Sequence, residues 1–194
     1  MKKIGIYGGT FDPIHHAHLI LAREAREQLG LMEVRFVLAA QSPDKVDQQS
    51  ANAEARWEML RVAIEGEPGF AASRIELDRP APSYTIDTVE AFHAAQPDAE
   101  LFFLLGEDNL AGLPRWHRFE TLRKLVRFVV LDRTGAAPDM GHLMIRRRID
   151  ISSTVIRNRV AIGQSIRYLV PEAVEQIIRC EQLYKGTGLS NPKN

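Results

Sequence analysis

A single cysteine, Cys180, stands in 194 residues, so the chain can form no intramolecular disulfide and has to hold its fold by packing. Net charge is missing too, because 25 Lys and Arg are matched by 25 Asp and Glu. A balanced field gives no push towards a polyanion such as DNA, nor towards an anionic membrane surface. Neither a nucleic acid nor a membrane is expected as a partner, although a small anion can still be held by a local cluster. No apolar run reaches membrane-spanning length, and Met1-Lys2-Lys3 passes into a short strand instead of a signal-peptide apolar region. No Cys/His cluster has structural-zinc spacing, and internal repeats and low-complexity tracts are absent. The expectation is a soluble cytoplasmic protein with one domain over residues 1–185 and a disordered tail over 186–194.

What is present is a regular alternation of strand-like and helix-like segments. Ile4 and Ile6 mark a first strand, and Ala22, Ala25 and Leu29 recur at helical spacing before a stop at Gly30. Val34 to Ala39 reads as a buried strand, and Ala53, Trp57, Leu60 and Ile64 as one face of a helix closed by Pro68-Gly69. A third strand is expected within Ala72 to Leu77, then a helix with Ile86, Val89 and Phe92 inward. Leu101 to Leu105 is continuously apolar, as a central parallel strand buried on both faces should be. Short helical pieces broken by Gly112 and Pro114 follow, then strands at Val126 to Leu131 and Leu143 to Ile145. Ser152 or Ser153 caps a helix, and Pro171 opens the last one. Such alternation implies an α/β fold with a doubly wound parallel sheet.

Chemistry concentrates where the first strand meets the first helix, in Tyr7-Gly8-Gly9-Thr10-Phe11-Asp12-Pro13-Ile14-His15-His16-Ala17-His18. Adjacent glycines let backbone approach an anion, and a helix start supplies N–H donors and the positive end of the dipole. His15 and His18, three residues apart, add two imidazoles on the same side. A second such terminus comes late, at Ser152-Ser153-Thr154, with Arg157 one turn in, where it can clamp further phosphate oxygens.

These residues carry a resemblance. Gly-Gly-Thr-Phe-Asp-Pro with a His-x-x-His tetrad resembles the signature of the nucleotidylyltransferase superfamily, and in this form the bacterial nicotinate-nucleotide adenylyltransferases. Pro82 to Thr88, Gly106 to Leu110 with Leu113 to Arg118, and Ile151 to Arg157 are similar to family blocks in the same order, so the likeness covers nearly the whole chain. It implies a Rossmann-like fold and transfer of an adenylyl group from ATP to nicotinate mononucleotide, giving nicotinate adenine dinucleotide and pyrophosphate in NAD biosynthesis. By resemblance, His15, His18 and Arg157 are catalytic, while Gly8, Gly9, Thr10, Phe11, Lys45, Ser153 and Thr154 bind ATP. Thr85, Gly106, Asp108 and Trp116 receive the mononucleotide, with Trp116 stacked on its pyridine ring; Arg133, just past the fifth strand, is a further phosphate candidate on that side. Mg²⁺ is implied by the triphosphate, which brings it largely hydrated, so no protein metal ligand is assigned. The small-molecule substrates leave room for a homo-oligomer.

Two positions depart from the family pattern: Ala17 stands where the tetrad has glycine, and Asp44 where the Pro-x-His-Lys-like loop has histidine. The added methyl is expected to narrow the approach to ATP, and the carboxylate to repel phosphate unless it turns away or meets Mg²⁺. Nicotinamide-mononucleotide and phosphopantetheine adenylyltransferases, and a non-catalytic nucleotide-binding relative, are the alternatives. The tetrad also resembles the His-Ile-Gly-His motif of class I aminoacyl-tRNA synthetases, but the chain has neither their anticodon domain nor their lysine-rich second signature.

Overall fold

The strand-like segments form one sheet in a computed structural model that describes residues 1–40 and 51–186. Six strands pair in parallel, β1 (Lys2–Gly9), β2 (Glu33–Leu38), β3 (Phe70–Ser73), β4 (Ala99–Gly106), β5 (Val126–Asp132) and β6 (Leu143–Arg146), in the order β3-β2-β1-β4-β5-β6. Parallel neighbours need long crossovers, and helices supply them. The order reverses between β1 and β4, so the crevice beyond their carboxyl ends is where an open α/β sheet binds ligands.

Period-two alternation divides the core into two layers. Phe36, Phe102, Leu104 and Val129 face one way, against α1 (His16–Leu29), α2 (Ala53–Ile64), α5 (Ser153–Ala161) and α6 (Glu172–Cys180). Ile4, Ile6, Leu101, Phe103 and Val130 face the other, against α3 (Thr85–Ala95), α4 (Phe119–Leu125) and a 3₁₀ helix, Glu107–Arg115. Helix α1 ends at Gly30, which is in the left-handed region.

The structure corrects three details. Strand β3 lies earlier than expected, because its register against β2 runs from Val34 opposite Phe70 to Val37 opposite Ser73; residues 74–77 leave the sheet in a turn. The buried face of α2 is Ala55, Arg56, Met59, Leu60 and Ile64, rotated from the expected one, with Trp57 only half-buried. The 3₁₀ helix runs through Gly112 and Pro114 instead of breaking at them. Pro171 occupies the capping position of α6. The end of the described chain reaches Gly186, so the expected tail from 187 onward lies outside the described residues, as do Asp44 and Lys45.

Phe36 is fully buried and its ring meets Tyr7, Phe11 and Phe70 at centroid distances of 5.1–5.7 Å. Phe36→Ala should therefore cost about 3–5 kcal/mol of stability. Urea unfolding measures it, and a loss below about 1 kcal/mol would mean that the layer collapses around the gap.

Candidate active site

The site begins where β1 runs out. Gly9 has to be small because Phe11 folds back beneath it: a Cβ there would lie 2.8 Å from Phe11 Cζ. Phe11 takes a positive φ of 45°, and the Asp12–Pro13 peptide is cis. The Phe11 ring is 3% exposed and packs edge-on to Tyr7 and His18. Expected by resemblance among the ATP-binding residues, Phe11 has a buried side chain that supports the turn.

The chain then enters α1 with His15 at the capping position. The rings of His15 and His18 stack, centroids 3.6 Å apart and 16° from parallel. His18 Nδ1 accepts the His15 main-chain N–H at 3.2 Å. A neutral imidazole whose Nδ1 accepts carries its proton on Nε2, so His18 has a donor left. His15 is 1% exposed, and among the described residues neither of its ring nitrogens finds a partner. A buried polar group left so costs about 1–3 kcal/mol, which an arriving anionic oxygen would recover. The amides of α1 contribute less than expected: His16 N–H is taken by the Leu169 carbonyl at 3.1 Å, and His18 N–H by that of His15. Ala17 is 1% exposed, so its methyl is covered by protein and adds no bulk to an open crevice.

Both histidines are held neutral. Burial pushes His18 down to about 3, with the Arg133 guanidinium adding to it. For His15 burial leads, followed by His18 and Arg133, and its pKa falls far below the usual imidazole range. Two charged imidazoles face to face would repel, so stacking and neutrality support each other.

Helix α5 brings the second terminus to the same place. Ser152 caps it, accepting Val155 N–H at 3.2 Å. Ser153 Oγ donates to the Pro13 carbonyl at 2.9 Å, and Arg157 Nη1 to the Asp12 carbonyl at 2.8 Å. The Ser153 hydroxyl is thus a tie to the turn. The first amides of α5, at Ser153 and Thr154, have no intrahelical acceptor and are its available donors. Arg133 reaches Glu107 at 3.1 Å and the Ile151 carbonyl at 3.3 Å. Its charge acts on both histidines, lowering their pKa values.

Across the switch point, β4 ends at Gly106, which caps the 3₁₀ helix carrying Asp108. Trp116, just beyond it, is half-buried and meets Phe103 edge-on at 5.7 Å. Thr85 opens α3, where Tyr84 N–H donates to Asp87 Oδ2 at 3.2 Å and the Tyr84 ring stacks on His117 at 4.3 Å. Arg118 binds Glu90 through both Nη atoms, at 2.7 and 3.1 Å, joining the start of α4 to α3.

The motif reading missed Asp12, Arg56, Asp132 and Tyr184 as site residues. Asp132 is fully buried; burial alone would raise its pKa, but bonds from Thr134, Gly135 and Ala137 outweigh that and hold it low. It therefore fixes the loop that presents Arg133. The Asp-x-Thr-Gly pattern carries a signal for such a turn, whereas Tyr184, 172 residues from Asp12, carries none.

The cytidylyltransferase-like family model matches residues 6–159. A Bacillus pumilus protein named as a nicotinate-nucleotide adenylyltransferase is 40% identical over 188 residues, covering 95% of this chain and all of that one. One so named from Herpetosiphon aurantiacus is 42% identical over 197 residues, covering 95% and 99%. A solved structure of the Plasmodium falciparum nicotinic acid mononucleotide adenylyltransferase complexed with NaAD is similar in fold, with TM-score 0.78 at 20% identity over 95% of this chain and 98% of that one.

The neutral histidines make stability depend on pH. In the unfolded chain His18 titrates near 6.5, while folding lowers it to about 3. The unfolded state then binds a proton that the folded state refuses, so this contribution is full above 6.5 and is lost as pH falls through that window. Compared by urea unfolding from about pH 7 to about pH 4, His18→Gln should lose less stability than the parent chain. Parallel pH dependences would show that His18 titrates normally in the folded protein.

Proposed function

Because this chain belongs to the nicotinate-nucleotide adenylyltransferase family, within the cytidylyltransferase-like proteins, we propose that it joins ATP to nicotinate mononucleotide. The products are nicotinate adenine dinucleotide and pyrophosphate. The observation that carries this reading is the stacked, neutral His15–His18 pair, with buried unpartnered nitrogens on His15, set at the switch point beside Arg133 and Arg157.

The reaction is an in-line displacement. A phosphate oxygen of the mononucleotide forms a bond to the α-phosphorus of ATP, and the bond from that phosphorus to the bridging oxygen breaks, leaving pyrophosphate. No protein nucleophile is required, so catalysis rests on positioning and on donors aimed at developing charge. His18 Nε2–H and His15 donate to phosphate oxygens as charge gathers on the bridging oxygen. Arg157, the Ser153 and Thr154 amides and Arg133 hold the outer phosphates, and Gly8, Gly9 and Thr10 let the triphosphate approach. On the other side Trp116 offers its ring face to the electron-poor pyridine, Thr85 and the start of α3 receive the carboxylate, and Asp108 orders the pocket. Among the described residues no group of three or more His, Cys, Asp or Glu side chains could hold a metal ion. Mg²⁺ would arrive bound by triphosphate oxygens and water.

Pyrophosphate release decides the reading when ATP is paired in turn with nicotinate mononucleotide, nicotinamide mononucleotide and phosphopantetheine. Release with the first is expected; release only with another reassigns the acceptor, and none with any leaves a nucleotide-binding protein. His18→Ala should lower kcat by at least about 10²-fold with the fold intact, as loss of one preorganised donor does. Unchanged turnover in the folded variant removes His18 from the chemistry. Trp116→Ala should weaken mononucleotide binding by about 1–3 kcal/mol while sparing ATP. Equal losses for both substrates would make Trp116 a core residue.

A further inference from the structure

Arg56 lies on the inward face of α2, among Ala55, Met59 and Leu60, and is 5% exposed. Among the described residues it forms no ion pair. Its guanidinium instead donates to four main-chain carbonyls: Nε to Ala51 at 3.2 Å, Nη1 to Thr10 at 2.9 Å and Ala39 at 3.0 Å, and Nη2 to Ala40 at 3.2 Å. These oxygens come from three separate stretches, the turn after β1, the chain leaving β2, and the approach to α2. A guanidinium holds its five N–H groups in a rigid planar fork, so it fixes these carbonyls in direction as well as distance; the ammonium of lysine has three rotatable donors and cannot.

The turn so held is the one that carries the phosphate machinery. Arg157 bonds to the Asp12 carbonyl and Ser153 to the Pro13 carbonyl, two and three residues beyond Thr10. Asp12 Oδ1 is fixed in turn by Tyr184 Oη at 2.6 Å and Ala51 N–H at 3.1 Å, and its charge faces that of Arg56. In a trans peptide the N–H points opposite to the carbonyl. Aiming the Thr10 and Ala39 carbonyls at the guanidinium therefore turns the Phe11 and Ala40 N–H groups away from it.

We propose that Arg56 is a positioning residue for the adenylyl transfer: its buried guanidinium, with the Tyr184–Asp12 bond, sets the Thr10–Pro13 turn on which Arg157 and the start of α5 are seated. This rests on the adenylyltransferase reading. It predicts a one-sided defect, because the turn bears the triphosphate residues, whereas Thr85 and Trp116 belong to elements packed on the opposite layer of the sheet.

The test compares Arg56→Met, Arg56→Lys and Tyr184→Phe with the parent chain. Melting temperature, kcat, KM for each substrate, and calorimetric affinity for a non-hydrolysable ATP analogue are measured below each variant's melting transition. Arg56→Met should lower kcat/KM for ATP by about 10²-fold, the scale of an ångström-sized misplacement. Arg56→Lys should recover part of that loss, and Tyr184→Phe should show a smaller defect of the same kind. KM for the mononucleotide should stay within about twofold, since its contacts are untouched. Folded variants with a lower melting temperature but parental kcat and KM would overturn the proposal, making Arg56 a structural anchor only; equal losses on both substrates would also overturn it. Should neither Arg56 variant fold, Tyr184→Phe decides by the same criteria. If the parent chain releases no pyrophosphate, the adenylyltransferase reading fails, while affinity for the ATP analogue still decides the role of Arg56.

Discussion

The carboxylate of Asp12 is the constraint on which the carboxyl end of the sheet depends. It is 4% exposed, and a buried carboxylate is strongly unfavourable unless donors and opposite charge surround it. The donors come from distant parts of the chain, Ala51 before α2 and Tyr184 after α6, and the opposite charge from Arg56. Each partner has its own cost if Asp12 is lost. The burial of Tyr184 and its contact with Asp12 push its pKa far above the phenol range, so its hydroxyl stays a donor. The local chain from Thr10 to His15 is thus held by global closure: residues near both ends of the fold must be in place before the turn has one conformation.

With the turn fixed, the site separates permanent charge from neutral donors. Arg133 and Arg157 are guanidinium groups, cationic at any accessible pH. The two imidazoles are kept neutral by burial first, then by Arg133 for His18 and by the His18 ring and Arg133 for His15. A neutral donor binds a ground-state phosphate less tightly than a cation would, yet it gains strength as charge develops on the oxygen it faces. That difference between ground and transition states is what accelerates a reaction.

Much of this was legible because it is local. Glycines after an apolar strand, histidines at a helix start and a hydroxyl cap with an arginine one turn later state their geometry in sequence. The continuous run Leu101 to Leu105 likewise declared a strand buried on both faces, and both layers do cover it. What was not legible depends on distant partners. Nothing in the local sequence singles out Arg56, and carbonyls up to 46 residues away hold it inside. Phe11 is expected by resemblance to bind ATP, and nothing local shows that its positive φ turns the ring under Gly9. The start of β3 is set by the register of β2 and not by the apolar count of Ala72 to Leu77. Ile75 and Leu77 still pack on the core, which is why that count misled.

In the proposed reaction two substrates meet at one crevice, each held by different elements, and the sheet order relates the two sides through a single ring. Gly8 lies against Phe103, where a Cβ would stand 3.1 Å from Cζ, and Phe103 meets Trp116 edge-on. Phe103 pairs in register beside Ile6, so its place is set by the β1–β4 ladder and not by any loop. A rigid strand residue therefore separates the glycine turn from the tryptophan, and the spacing between the halves follows from hydrogen bonds of the sheet. In-line transfer tolerates little error in that spacing, since reacting atoms must come within about 3–3.5 Å with the leaving group opposite. The loops can then vary to suit a ligand without altering the distance across which the reaction takes place.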